Sequence, residues 1–140
     1  MAIAQMNWGR MLFPLEDMRM AEFAASLDGV YRLAELHQGF IWRIPDVEAN
    51  AQLQNLGFDN MISSTVSIWE TIDDLKAYTY ETLHGDFIKR KSKWFENVEG
   101  PQLVIWNVEP KDRPTFEHAF ERLEALKRDG PTENAYGWTT

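Results

Sequence analysis

Segments whose hydropathy alternates every second residue recur along the chain, separated by segments of helical spacing, and this restricts the folds that the chain can adopt. In the first of them, Ala4, Met6 and Trp8 lie on one side and polar residues lie on the other. A period of two is typical of a β-strand with one buried face. The strands predicted in this way cover residues 2–10, 40–44, 61–69 and 102–108.

Apolar residues at intervals of three and four predict helices between and after these strands. The predicted helices cover residues 17–39, 71–95 and 114–130. Thr71 and Asp74 form a capping box at the start of the second helix, and Gly130 ends the third. Residues 45–60 are polar, contain turn-forming residues and predict a mobile connecting loop, and residues 135–138 predict a short edge strand.

The order of elements is β-α-β-β-α-β followed by a further helix, which is typical of the ferredoxin-like split βαβ arrangement. It predicts one α+β domain over residues 1–140, with a four-stranded antiparallel sheet, helices on one sheet face and an extra C-terminal helix. The second face would then be bare and would need a cover. The simplest cover is a second copy of the chain across a two-fold axis, so we expect a homodimer.

The charge balance and the lack of cysteine exclude several classes of function. The chain has 22 acidic and 14 basic residues and a net charge of −8, so we expect no nucleic-acid partner. Its basic cluster, residues 89–93, predicts the solvated face of a helix, with a local anion site as the alternative. The absence of cysteine excludes disulfides, thiolate metal sites and cysteine nucleophiles. With no signal peptide and no long apolar run, we expect a cytoplasmic protein without a membrane partner.

Several stretches of the chain resemble one family. They are IAQMNWGR, VSIWETIDDLKAYTYETLHGDFIKRKSKWF and GPQLVIWNVEPKDRPTFEHAFERLEALKRDGPT, and the most specific parts are Trp69-Glu70, Tyr80…His84…Trp94-Phe95 and Arg113-Pro114-Thr115. The resemblance is to a bacterial family of uncharacterised proteins that looks like part of the dimeric α+β barrel superfamily, near the antibiotic biosynthesis monooxygenases. It implies that two chains pack sheet to sheet into a barrel, and that a pocket lies between sheet and helices or inside the barrel.

His84 is the residue that we single out for catalysis. Along the second predicted helix, if it continues past Gly85, His84 lies near one face with aromatic residues, namely Tyr80, Phe87 and Trp94. Histidine titrates near neutral pH, so His84 can act as a general base assisted by Tyr80. The alternatives are an axial haem ligand, with the rings packed on the porphyrin, and a half-buried structural histidine hydrogen-bonded to Tyr80.

Polar residues on the predicted strands indicate a binding surface. The residues that would converge on one side of the sheet are Gln5, Asn7, Thr65, Ser67, Trp69 and Asn107. A few polar groups among aromatic rings are typical of a small-molecule pocket, and polar pairs across a dimer interface are the alternative. Asn7 and Trp69 would orient a planar substrate and its oxygenated intermediate. We expect Trp42 to pack in the pocket or in the dimer interface. We expect Arg43 to bind an anionic group of the substrate or to form an ion pair.

No histidine spacing typical of a complete metal site, no phosphate-binding loop and no nucleophile elbow occurs in the sequence, so no metal is predicted. His37 lies at the end of the first predicted helix, where a cation suits the helix dipole, and needs no further role. We therefore predict a cofactor-independent monooxygenase acting on an aromatic or enolisable substrate, as the resemblance implies. The alternatives are a haem protein with His84 as axial ligand and a non-enzymatic dimer that binds a metabolite.

Overall fold

Strands pair into one antiparallel sheet within the part of the chain that the computed structural model describes, residues 1–83 and 86–138. Of residues 82, 83 and 86–89, the backbone alone is described. The strands in these ranges are β1 (Ala2–Arg10), β2 (Phe40–Arg43), β3 (Ile62–Trp69) and β4 (Leu103–Val108). Their order across the sheet is β2-β3-β1-β4, so β1 and β3 lie at its centre. The predicted α+β class with a four-stranded antiparallel sheet is confirmed.

The pairing register gives the sheet two different faces. Gln5 lies opposite Ser67 in the pairing of β1 with β3, and Ala4 lies opposite Ile68. Residues directly opposite each other share a face, so the alternation seen in the sequence sorts the two strands in the same way. The polar face carries Gln5, Asn7, Thr65, Ser67 and Trp69, and the apolar face carries Ala4, Met6, Val66, Ile68, Val104 and Trp106.

Helices cover both faces of the sheet, whereas the sequence predicted helices on one face. The described α-helices are α1 (Ala21–Leu36), preceded by a 3-10 turn (Met18–Met20), α2 (Asp46–Asn55), α3 (Ile72–Leu83), α4 (Asp86–Trp94) and α5 (Phe116–Asp129). α1 and α3 lie over the polar face. α2 and α5 lie over the apolar face, against which Leu53, Phe116 and Leu123 are buried. The expectation of a bare face was therefore wrong, because the chain supplies its own second cover.

The stretch that was predicted as a loop, residues 45–60, contains α2. Acidic residues, Asp46 among them, lie in its first turn, where they suit the helix dipole. Leu53 is the buried residue of α2, and the other residues of this helix are mostly polar or small, so it has almost no apolar period in the sequence. Gln52 Oε1 accepts a hydrogen bond of 2.8 Å from the backbone N–H of Phe116, which ties α2 to the start of α5.

The remaining element boundaries lie close to the predictions. Thr71 Oγ1 accepts a hydrogen bond from the backbone N–H of Asp74 at 3.0 Å and donates to the Asp74 carboxylate at 2.9 Å. α3 and α4 together occupy the second predicted helix. Tyr136 pairs with Ile105 through two backbone hydrogen bonds, so the tail adds a single bridge at the sheet edge in place of a strand. Among the described residues, no helix is both long and apolar enough to cross a membrane.

Gly39 and Gly57 offer a matched test of the packing between β2 and α3. Both have left-handed φ values, +85° and +88°. A Cβ on Gly39 would collide with the Asp74 side chain, whereas nothing lies within 4 Å of a Cβ on Gly57. We expect Gly57→Ala to lower the free energy of unfolding by about 1–2 kcal/mol through backbone strain. Gly39→Ala should cost roughly 1–3 kcal/mol more, because the Asp74 contact adds overpacking. Urea unfolding followed by circular dichroism measures both variants, and equal losses would contradict the close approach of Asp74.

Candidate ligand-binding cavity

A cavity of about 400 Å³ lies between the polar face and the helices that cover it. Its floor is formed by β1 and β3, and its walls by α1 and α3, with α4 and β4 at one end. The apolar wall residues include Phe23, Leu27, Val30, Ala34, Phe40, Leu75 and Phe95. A concave, mostly apolar site with a few polar groups is the usual form of a small-molecule pocket.

The floor of the cavity is a hydrogen-bonded row of side chains, here called the polar ladder: Gln5, Asn7, Thr65, Ser67 and Trp69. Ser67 Oγ accepts hydrogen bonds from Trp69 Nε1 at 2.9 Å and from Gln5 Nε2 at 2.8 Å. Thr65 Oγ1 accepts from Asn7 Nδ2 at 2.9 Å and from Gln5 Nε2 at 3.3 Å. Asn7 Nδ2 also donates to Gln5 Oε1 at 3.1 Å, with both amides oriented to satisfy the network. Each hydroxyl oxygen already accepts two N–H groups, so its own hydrogen is left to donate.

Aromatic rings close one end of the cavity. Trp69 is 1% exposed and stacks on Tyr78 with ring centroids 5.0 Å apart. The Phe40 ring packs edge-on against the Trp69 ring, with centroids 5.5 Å apart. The Tyr78 hydroxyl donates to the Val30 carbonyl at 3.1 Å, which joins α3 to α1. Burial raises the pKa of Tyr78 to about 12, and the neighbouring Tyr31 contributes to the rise. Tyr78 is therefore neutral at physiological pH, and its hydroxyl is a hydrogen-bond donor.

His37, the C-cap of α1, supports this aromatic end from behind. Its ring packs against Trp69 and Tyr78 with centroids 6.0 and 5.8 Å apart. Nδ1 lies 3.0 Å from the Gln38 carbonyl and Nε2 lies 2.9 Å from the Glu81 carboxylate, so both nitrogens donate only when the ring is charged. Partial burial opposes that charge, but the two hydrogen bonds and nearby carboxylate charges outweigh it and raise the pKa of His37.

Arg43 lies at the β2 side of the cavity and is already paired. Its guanidinium bonds Glu35 at 3.2 Å and Asp46 at 2.9 Å, and it lies 4.5 Å above the centre of the Tyr31 ring. The ion pair that was the alternative interpretation of Arg43 is therefore present. Within the described ranges, no histidine, aspartate or glutamate side chains gather in threes as a metal site would require.

The structure brings together part of the predicted site. The ladder residues of the prediction, Gln5, Asn7, Ser67 and Trp69, all line the cavity. Asn107 shares their face but lies outside the cavity, where its Oδ1 accepts a hydrogen bond of 3.3 Å from the Tyr136 hydroxyl. Trp42 lies on the apolar face, with the Arg113 guanidinium 5.2 Å from its ring centre.

Tyr80 and Trp94, two of the residues predicted from the second helix, do not line the cavity. Tyr80 is 65% exposed on α3, and Trp94 is buried beside Met20 rather than in the cavity wall. Phe87 belongs to α4, but its side chain is outside the description, and His84 lies outside the described residues. Catalysis by His84 with Tyr80 stays a prediction.

The cavity also uses residues that the sequence analysis did not assign to a site. Tyr78 of α3 lines the cavity, although the prediction from this helix named Tyr80. Tyr31 and Phe95 also line the cavity. The apolar stripe of α3 already contained the signal, because Tyr78 lies three residues after Leu75 and therefore on the same helix face.

The pairing of His37 with Glu81 predicts a pH-dependent contribution to stability. Because the pKa of His37 is higher in the folded chain than its unfolded value of about 6.5, this contribution is complete below that value. It is lost as the pH rises through the folded-state pKa. We expect Glu81→Gln to lower the free energy of unfolding by about 0.5–1 kcal/mol near pH 6 and by less near pH 9. Urea unfolding at the two pH values measures this, with the exposed Glu99→Gln as control, and equal losses at both would contradict it.

Comparison with known proteins places the chain in a family. Residues 2–140 match the model of a family described as a domain of unknown function, DUF3291. No curated protein and no solved structure matches the chain. The expected kinship with an uncharacterised family is confirmed, and the match includes every strand, helix and cavity residue described above. This protein therefore belongs to the DUF3291 family.

Proposed function

We propose that this protein binds a small, largely apolar molecule that carries a hydrogen-bond acceptor, in the cavity above the polar ladder. The observation that carries the proposal is the combination of an apolar wall with a hydrogen-bonded polar floor, in which the Ser67 oxygen accepts two bonds and its own hydrogen is left to donate. A cavity that had to serve stability alone would be filled by side chains, since empty space beside apolar groups is destabilising.

In this proposal the apolar walls contribute most of the binding affinity for the ligand but discriminate little between different ligands. Phe23, Leu27 and Val30 from α1 and Leu75 from α3 offer apolar surface that a ligand would cover. Burial of apolar ligand surface contributes roughly 25 cal/mol per Å², so a ring system of ordinary size gains several kcal/mol. A planar body fits the stacked rings at the Trp69 end best.

The polar ladder supplies specificity. Ser67 is buried and its oxygen is occupied by the Trp69 and Gln5 donors, so a ligand oxygen that accepts from the Ser67 hydroxyl completes the network. A ligand without an acceptor would leave that hydroxyl unpaired, which costs about 1–3 kcal/mol. The preferred ligand therefore places a carbonyl, ether or similar oxygen against Ser67 and Thr65.

Oxidative chemistry on an aromatic or enolisable substrate is the activity that the resemblance implies, and we keep it as a proposal. Donors aimed at a carbonyl oxygen would also stabilise the enolate form of such a substrate. The proposal that donors stabilise the enolate is supported by the position of three side chains that line the cavity, those of Asn7, Ser67 and Trp69. Proton removal by His84, assisted by Tyr80, is the catalytic step of this proposal. Haem ligation likewise rests on His84 and stays a prediction.

The strand order β2-β3-β1-β4 supports the predicted ferredoxin-like arrangement, in which the two halves of a split βαβ unit place their first strands at the centre. The dimeric barrel has less support, because α2 and α5 occupy the apolar face that the partner sheet was expected to cover. The homodimer stays a prediction.

A cavity-filling substitution tests the proposed binding. Val30→Trp adds an indole to the half-buried wall, and Val47→Trp makes the same change on an exposed part of α2. We expect the neutral dye 6-propionyl-2-(dimethylamino)naphthalene, whose carbonyl oxygen is a hydrogen-bond acceptor, to bind the unmodified protein and the Val47 variant with similar affinity. The Val30 variant should bind it about tenfold or more weakly, because the added ring removes the space for the ligand. Dye fluorescence titration measures the affinities, thermal unfolding confirms that each variant is folded, and equal binding by the two variants would contradict the proposal.

A further inference from the structure

We infer that the ligand of this cavity is a carboxylate with an apolar or aromatic body, whose negative group binds beside Lys91. This inference rests on the proposed function and adds the chemical class of the ligand. It begins from the charges that line the cavity. The described lining contains two cations, Arg43 and Lys91, and no carboxylate, although the chain has 22 acidic and 14 basic residues.

The two cations are not equivalent. Arg43 is neutralised by Glu35 and Asp46 and covers the Tyr31 ring, so its charge is already compensated. Lys91 makes no ion pair with any side chain that the structure describes, whereas its neighbour Arg90 bonds Glu22 at 2.9 Å. An ammonium that no described side chain neutralises, at the edge of an apolar cavity, is the feature that selects a negative ligand.

The position of Lys91 defines which end of the cavity takes the negative group. Lys91, in the last turn of α4, and Phe95, which follows the helix, lie four residues apart and both line the cavity. The Phe95 ring packs closely on Gly9, where an added Cβ would lie 2.8 Å from the ring. Ser63 lies opposite Gly9 in the register of β1 with β3, and its side chain also lines the cavity. Lys91 and the Ser63 hydroxyl therefore both line the end of the cavity opposite the stacked rings of Trp69.

The arrangement sets the orientation of the ligand. Its body occupies the apolar region between α1 and the polar ladder, and its carboxylate reaches the Lys91 end, where solvent has access because Lys91 is exposed. Because the ammonium is solvated, the charge contributes a modest preference rather than the bulk of the affinity.

Calorimetric titration with two probes of the same ring system tests this inference. The probes are 6-methoxy-2-naphthoate and its neutral counterpart (6-methoxynaphthalen-2-yl)methanol, whose shared ether oxygen can accept from the polar ladder, and the variants are Lys91→Gln, Lys91→Arg and Lys93→Gln. Lys93 is exposed on the same helix but does not line the cavity, so it controls for the general effect of removing a surface charge. We expect the unmodified protein to bind the acid about fivefold more tightly than the alcohol at low salt.

That preference should vanish in Lys91→Gln, with the affinity for the alcohol unchanged, and should persist in Lys91→Arg and Lys93→Gln. Equal affinities in the unmodified protein, or the same loss of preference in Lys93→Gln, would overturn the inference and leave the proposed function standing. Failure of both probes to bind would overturn the proposed function together with the inference.

Discussion

The hydrogen bonds that join Gln5, Ser67 and Trp69 are the interaction on which the rest of the structure depends. Buried polar groups are tolerated in a protein interior only when they are paired. The register of β1 with β3 places Gln5 directly opposite Ser67, so each side chain finds its partner across the strands. The centre of the sheet can therefore be covered by helices although it is polar, and those helices need not press apolar side chains into it.

The helices pack differently on the two faces of the sheet. On the apolar face, Phe116 and Leu123 of α5 are almost fully buried, and burial of such a side chain contributes about 1.5–3 kcal/mol. On the polar face, α1 and α3 meet mainly through contacts such as the bond from Tyr78 to Val30, and a cavity stays open beneath them. Both faces therefore carry buried apolar clusters, but only the polar face, among the described parts of the sheet, keeps a cavity beneath its helices.

Much of the sheet was predictable because a strand records its two faces as simple alternation. The ladder residues Gln5, Asn7, Ser67 and Trp69 were recognised in this way and do line one cavity. α2 was missed because a helix in which Leu53 is buried and Ala49 is partly buried has almost no apolar period. The error about a bare sheet face followed from this and from placing the C-terminal helix on the same face as the others. Tyr80 was selected from its spacing to His84, and Tyr78 was not considered because the apolar stripe that starts at Leu75 was not followed to the cavity. The ion pair of His37 with Glu81 joins residues distant in sequence, so no local pattern could indicate it.

The central claim is that a ligand occupies the space above the polar ladder, and the indole N–H of Trp69 reports on it directly. This group donates to Ser67 beneath the cavity, whereas Trp42 and Trp106 lie on the apolar face. The measurement is a titration of ¹⁵N-labelled protein with (6-methoxynaphthalen-2-yl)methanol, followed through the indole signals in ¹H–¹⁵N correlation spectra. The account predicts a saturable shift of the Trp69 signal with those of Trp42 and Trp106 unmoved. Saturable shifts of Trp42 or Trp106 with the Trp69 signal unchanged would contradict it.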